Sequence, residues 1–210
     1  MRLSVVVHVT GTLVRLFSAT PLVPAAVAAF YGEWRDVWGF GAAAAAACVA
    51  GVMMSRAGGA AAVQASERIW RVEGLAIVAA TWMVVAHLGA IPFVWSGLGF
   101  IDALFESMSG FTTTGATVLT DFSAFGRGIF FWRALTHWIG GLGVIALFIA
   151  VLPRLAIAGR ELFFAEAAGP TDEKLTPQLR QTALALWKVY IALTGVEVVA
   201  LNSRTRVPVT

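Results

Sequence analysis

The chain has 210 residues, of which 59% are hydrophobic and 13% charged, with a formal net charge of +3. Together with a mean hydropathy of +0.80, this excludes an ordinary soluble domain and places the chain in the membrane class. The small, scattered positive charge excludes a nucleic-acid-binding surface, and a single cysteine, Cys48, excludes a disulfide framework or a cysteine-based metal cluster.

A helix crossing the bilayer core needs about 20 mostly apolar residues, and five segments meet or approach that. The opening "MRLSVVVHVT" has one positive charge before an apolar run, as a signal peptide would. The run continues past Phe30 with no convincing small-residue cleavage site, so it reads as a retained membrane segment. This first span, 5–30, contains Arg15 and should kink at Pro21 and Pro24. The second, 37–54, is uncharged and rich in alanine, which suits close helix packing. The third is 74–95, and the fourth is 129–152, with Arg133 near its start. The fifth, 182–201, carries Lys188 and Glu197 on opposite helix faces.

Orientation follows from the basic residues. Arg56, Arg68 and Arg71 lie between spans two and three, and Arg154, Arg160, Lys174 and Arg180 between four and five. On the other side, Arg35 is outnumbered by Glu33 and Asp36, and Arg127 by Asp102, Glu106 and Asp121. The excess of Lys and Arg predicts a cytoplasmic N-terminus, cytoplasmic loops at 55–73 and 153–181, and an outside-facing stretch from 92 to 128. Leu155, Ile157, Leu162 and Phe163 would suit an interfacial helix along the inner surface, and equally an ordinary amphipathic linker helix.

Between spans three and four, Leu98, Ile101, Leu104, Phe105 and Met108 recur at helical spacing. A helix of about 12 residues reaches roughly 18 Å, too short for a core of about 30 Å. With both flanks outside, the segment must dip into the membrane and return. It is followed by "SGFTTTGATVL", 109–119. Non-helical backbone at membrane depth is tolerated where it is buried in protein or lines a wet cavity. Main-chain carbonyls and threonine hydroxyls offer neutral oxygens to a cation that sheds its hydration shell. Gly115 can take the positive φ that lets successive carbonyls turn one way, and the C-terminal end of the short helix favours a cation. Thr112, Thr113, Thr114 and Gly115 are therefore the expected ion-contacting residues, through their main-chain oxygens. By composition alone the same run would also serve as an extracellular turn. The order of elements, from apolar span through short helix and Thr-Gly loop to a second apolar span, favours the ion-facing reading.

"FESMSGFTTTGATVL" followed by "FFWRALTHWIGGLGVIALFIAVLP" closely resembles the first pore unit of the TrkH/KtrB superfamily of potassium transporters. The later "GPTDEKLTPQLRQTALALWKVYIALTGVEVVAL" resembles the TrkH branch entering its second pore unit. The resemblance implies an all-α polytopic membrane protein with about five transmembrane helices, one re-entrant pore helix and a filter loop. Its segments would be a helix pair (1–56), a cytoplasmic linker (57–73), a first pore unit (74–152), a cytoplasmic loop with an interfacial helix (153–181), the first helix of an incomplete second pore unit (182–201) and an atypical tail (202–210).

The family likeness further implies potassium transport across the bacterial inner membrane. No cofactor is expected beyond the transported ion. The implied partners are membrane lipid, a second copy as a homodimer, and a cytoplasmic nucleotide-binding regulatory subunit. Four filter loops surround an ion in that family and one is present, so the chain reads as a truncated, frame-shifted or split portion. The alternatives are a non-conducting accessory membrane protein and a homotetrameric channel with one loop per chain.

Arg133 is expected to support the filter by donating hydrogen bonds to Glu106 or to loop carbonyls, the competing reading being a snorkelling arginine. Gly140, Gly141 and Gly143 read as small residues easing helix packing rather than as a hinge or a close approach to a pore helix. Trp95, Trp132 and Trp138 read as interfacial anchors. His8, His87 and His137 fall on different spans with no H-E-x-x-H spacing, and neither a G-x-S-x-G nor a paired intramembrane aspartate occurs, so no enzyme is expected.

Overall fold

The computed structural model describes residues 1–59, 62–63, 70–143 and 175–204. The secondary structure among these residues is helical, with no strand. In chain order the helices are α1 (Leu3–Phe17), α2 (Leu22–Phe30), α3 (Trp34–Ala57), α4 (Arg71–Trp95), α5 (Phe100–Phe111), α6 (127–143) and α7 (Leu175–Arg204), with a 3₁₀ turn at Phe122–Ala124. Leu3–Phe30, Trp34–Ala57, Val72–Trp95 and Leu184–Leu201 are each long and apolar enough to cross a membrane. The fourth expected span is helical as far as 143. Its remainder, the segment carrying Leu155, Ile157, Leu162 and Phe163, and the tail from 205 lie outside the described residues.

The expected kink in the first span is a complete break. The chain turns at 18–21, and Pro21 caps α2 at φ −64°. Pro24 then falls in the first turn of α2, where its missing N–H leaves no helical bond unmade. Helix α7 begins at Leu175, seven residues before the fifth expected span, so the 153–181 connection ends inside a helix.

Residues Met1–Gly140 form one compact unit and Gly141–Thr210 a second. The first unit is built around a cluster of aromatic rings from four helices: Phe17, Phe40, Phe111 and Trp132. Phe111 meets Phe17 edge-on at 5.7 Å and Trp132 at 6.3 Å, and Phe40 meets Trp132 at 6.1 Å. Such geometry sets the positive ring edge against a negative face.

Trp132 therefore departs from the expected interfacial role, since it is fully buried and donates its indole N–H to Gly89 O at 3.0 Å. Its side of α6 faces α1, α3 and α5, which a hydropathy profile does not register. Trp132→Phe keeps the ring but leaves the Gly89 oxygen without that donor. The expected cost is about 1–3 kcal/mol, read as a lower unfolding midpoint of the chain in detergent.

A second tie closes the same unit at the other end of α4. Glu73, fully buried, accepts from Arg2 N and Nε (both 2.8 Å), Arg2 Nη2 (2.7 Å) and Trp70 N (3.0 Å). The Arg2 guanidinium also lies 4.8 Å over the Trp70 ring.

Candidate filter segment

Helix α5 buries its small and polar side: Ala103, Glu106, Ser107, Ser109 and Gly110, together with Phe111. The apolar spacing that marks the helix is divided: Leu98, Leu104 and Met108 pack against the core, while Ile101 and Phe105 are exposed. Polarity points inward because each buried polar group has a fixed partner. Ser107 Oγ donates to Ala86 O of α4 at 2.7 Å, and Ser109 Oγ to Ala116 O in the loop at 2.6 Å.

Beyond Phe111 the backbone folds over the end of α5. Thr112 N donates to Met108 O (2.9 Å), Thr113 N to Gly110 O (2.9 Å), Thr114 N to Ser109 O (3.0 Å) and Gly115 N to Ser109 O (3.5 Å). These bonds cap the terminal carbonyls of the helix. Among the described residues no peptide bond is cis, and a trans peptide sets each carbonyl opposite the next residue's N–H. With the N–H groups of 113, 114 and 115 turned toward α5, the carbonyls of Thr112, Thr113 and Thr114 turn away from it. Residues 112–118 are all exposed. Thr112 Oγ1 also pairs with Thr114 Oγ1 at 2.8 Å.

Two residues make this turn with positive φ, Gly115 at 78° and Thr113 at 57°. Glycine adopts such a backbone freely. For a β-branched threonine it is a strained conformation costing about 1–2 kcal/mol, and strain of this kind collects at functional sites. Sequence reasoning anticipated the conformation at Gly115 and missed it at Thr113, whose residue type argues against it.

The loop is held from behind by one carboxylate. Glu106 is fully buried. Its Oε1 accepts from Thr117 Oγ1 (2.5 Å) and Val118 N (2.6 Å), and its Oε2 from Arg133 Nε on α6 (3.0 Å). Arg133 Nη2 in turn donates to Gly115 O at 3.2 Å. Desolvating an ion pair is expensive, and the three charge-assisted hydrogen bonds to Glu106 offset that cost. The structure thus brings Glu106, Arg133 and Gly115 into one network. Among the four expected ion-contacting residues, Gly115 differs in that its oxygen is already engaged by an arginine.

Helix α6 lies directly against the filter segment. A Cβ on Gly140 would meet the Phe111 carbonyl, whose carbon lies 2.9 Å from that position. Gly140 is therefore a close approach to the pore helix, the reading that sequence reasoning ranked second. Ser109, Thr117 and Val118 were missed as loop partners, and nothing in their spacing marks them.

The three histidines do not meet. Each hydrogen-bonds a carbonyl at 2.7 Å: His8 to Ser55, His87 to Met83 and His137 to Arg133. Among the described residues no group of three His, Cys, Asp or Glu side chains is placed to hold a metal ion.

A family model described as "TrkH: Cation transport protein" matches residues 44–206. The Trk system potassium uptake protein TrkH of Escherichia coli K12 is 38% identical over 200 residues, covering 92% of this chain and 40% of that protein. Its relative TrkG from the same organism is 40% identical over 197 residues, covering 90% and 39%. The crystal structure of the potassium transporter TrkH from Vibrio parahaemolyticus superimposes with a TM-score of 0.72 at 31% identity, covering 93% of this chain and 38% of that one. The chain thus spans about 40% of the length of the curated relatives it matches. With a pore-type helix, a capped Thr-Gly loop and a family match over most of its residues, this chain belongs to the TrkH family of cation transport proteins.

Proposed function

We propose that the chain supplies one selectivity-filter segment to a potassium uptake transporter of the bacterial inner membrane. Three consecutive threonine carbonyls turned away from the capped end of α5, on an exposed loop braced by the buried Glu106 and its ion pair with Arg133, carry this reading. Neutral oxygens preorganised in one direction can replace the hydration shell of an alkali cation without trapping it. Thr112, Thr113 and Thr114 supply the oxygens, Gly115 supplies the turn, and Glu106 with Arg133 supports the loop. The chain performs no covalent chemistry and carries no cofactor besides the transported ion.

In this reading the N-terminus is cytoplasmic and the filter opens to the outside. Residues 1–56 are a preceding helix pair, 74–152 the first pore unit, and the helix ending near 201 opens a second. A homodimer and a cytoplasmic nucleotide-binding regulatory subunit complete the assembly.

The test is a hybrid transporter in which this chain replaces the corresponding 40% of the Escherichia coli relative, expressed in bacteria lacking their own potassium uptake. The expected result is growth at limiting potassium together with rubidium uptake. A hybrid that reaches the membrane and takes up neither ion would overturn the reading. Rescue by the 210-residue chain alone would instead favour several copies, each donating one loop.

A further inference from the structure

Glu33 precedes α3 and Arg35 lies in its first turn, where the sequence gives their charges a role in topology alone. In the structure they reach the ends of the two helices that flank the filter segment. Glu33 Oε1 accepts from Arg127 N at 2.7 Å and its Oε2 from Gly128 N at 2.9 Å, at the start of α6. Arg35 Nη2 donates to Trp95 O at 3.1 Å, at the last residue of α4. Both contacts satisfy backbone groups that a helix end leaves without internal partners. Each charge also faces the opposing end of a helix macrodipole, the anion at an N-terminus and the cation at a C-terminus.

The surroundings are shaped for this grip. A Cβ on Gly126 would lie 2.6 Å from Glu33 Oε2 and 2.5 Å from Asp36 Oδ2, so a larger residue there would displace the Glu33 carboxylate from its grip on α6. Helix α4 holds the pore helix through Ala86 O and Ser107, and α6 holds the loop through Arg133. The spacing of these two helix ends therefore bears on the filter loop from both sides.

We propose that Glu33 and Arg35 form a charge-matched clamp, contributed from outside the pore unit, that fixes the outer ends of α4 and α6 and thereby the backbone geometry of Thr112–Gly115. Neither residue touches the loop; both are positioning residues. The consequence for ions rests on the filter reading above, whereas the mechanical coupling does not.

The experiment is amide hydrogen exchange, read by mass spectrometry, on the full chain in lipid nanodiscs. Glu33→Ala and Arg35→Ala are each expected to speed exchange over 112–118 about tenfold, the equivalent of about 1.4 kcal/mol. A reference stretch in the middle of α3, 43–50, should keep its rate. Glu33→Gln, which retains an acceptor oxygen without the charge, should give an intermediate change. It also keeps the test open if Glu33→Ala does not fold. Unchanged exchange over 112–118 would overturn the proposal, and so would an equal rise in every segment, which marks general loosening. The readout follows the backbone and not the ion, so it stands whether or not the hybrid transports potassium.

Discussion

Glu106→Gln is expected to abolish selective uptake in the hybrid transporter and to destabilise the chain by about 1–3 kcal/mol. The carboxylate uses both oxygens, one toward Thr117 Oγ1 and Val118 N and the other toward Arg133 Nε. A glutamine has a single oxygen to offer. If that oxygen faces Thr117 and Val118, its amide NH₂ opposes the guanidinium; if it is flipped, the NH₂ opposes the Val118 N–H. In either orientation Arg133 loses its counter-charge in a partly dry site, and a donor is left facing a donor. Glu106→Asp keeps the charge on a shorter stem and should fall between, because the carboxylate then reaches one side of the network but not both. The checks are unfolding in detergent and the rubidium-to-sodium uptake ratio of the hybrid. A Gln variant with unchanged midpoint and ratio would remove Glu106 from the support of the loop.

Gly115→Val is the second large expectation, and its cause is purely conformational. A Cβ at Gly115 would meet nothing within 4 Å, yet its φ is 78°. The left-handed backbone costs an L-residue about 1–2 kcal/mol, with a β-branched residue at the upper end. The chain can escape this strain only by rotating the Thr114–Gly115 peptide. That rotation breaks the N–H contact with Ser109 and turns the Thr114 carbonyl out of line with those of Thr112 and Thr113. Selectivity for potassium over sodium should then fall by about tenfold while membrane insertion stays normal. Gly115→Ala should show the same change more weakly. Wild-type selectivity in both variants would count decisively against this loop as the filter.

These expectations also divide cleanly from the Trp132→Phe result. Trp132 lies in the aromatic cluster and bonds α4 rather than the loop. Its loss should lower the midpoint without changing which ion passes. Lower stability without a change in selectivity is thus the readout expected at Trp132, and both changes together at Glu106.

Much about this chain was fixed by its sequence alone, because the relevant forces are local or compositional. The cost of apolar surface in water and of bare backbone in lipid selects long helices. Among the described residues, helices therefore fall in every expected span, the fourth as far as 143, with α7 alone starting well outside its expected range. The short helix was legible from a spacing too brief to cross the bilayer, and the turn at Gly115 from the only residue type that enters a left-handed backbone without strain.

Other features were decided only when distant segments met. Glu106 or a loop carbonyl was the expected partner of Arg133, and the structure makes both contacts at once; Glu33 and Arg127, 94 residues apart, have no period or spacing to betray their pairing. Trp132 changed from an expected lipid anchor to a buried rivet, and Gly140 from a packing convenience to the point where a pore-helix carbonyl rests. The positive φ of Thr113 runs against its own preference and is held in place by surrounding hydrogen bonds. Local chemistry chose the helices and the loop, whereas long-range packing chose which side of each helix faces inward, and with it which charges hold the loop in place.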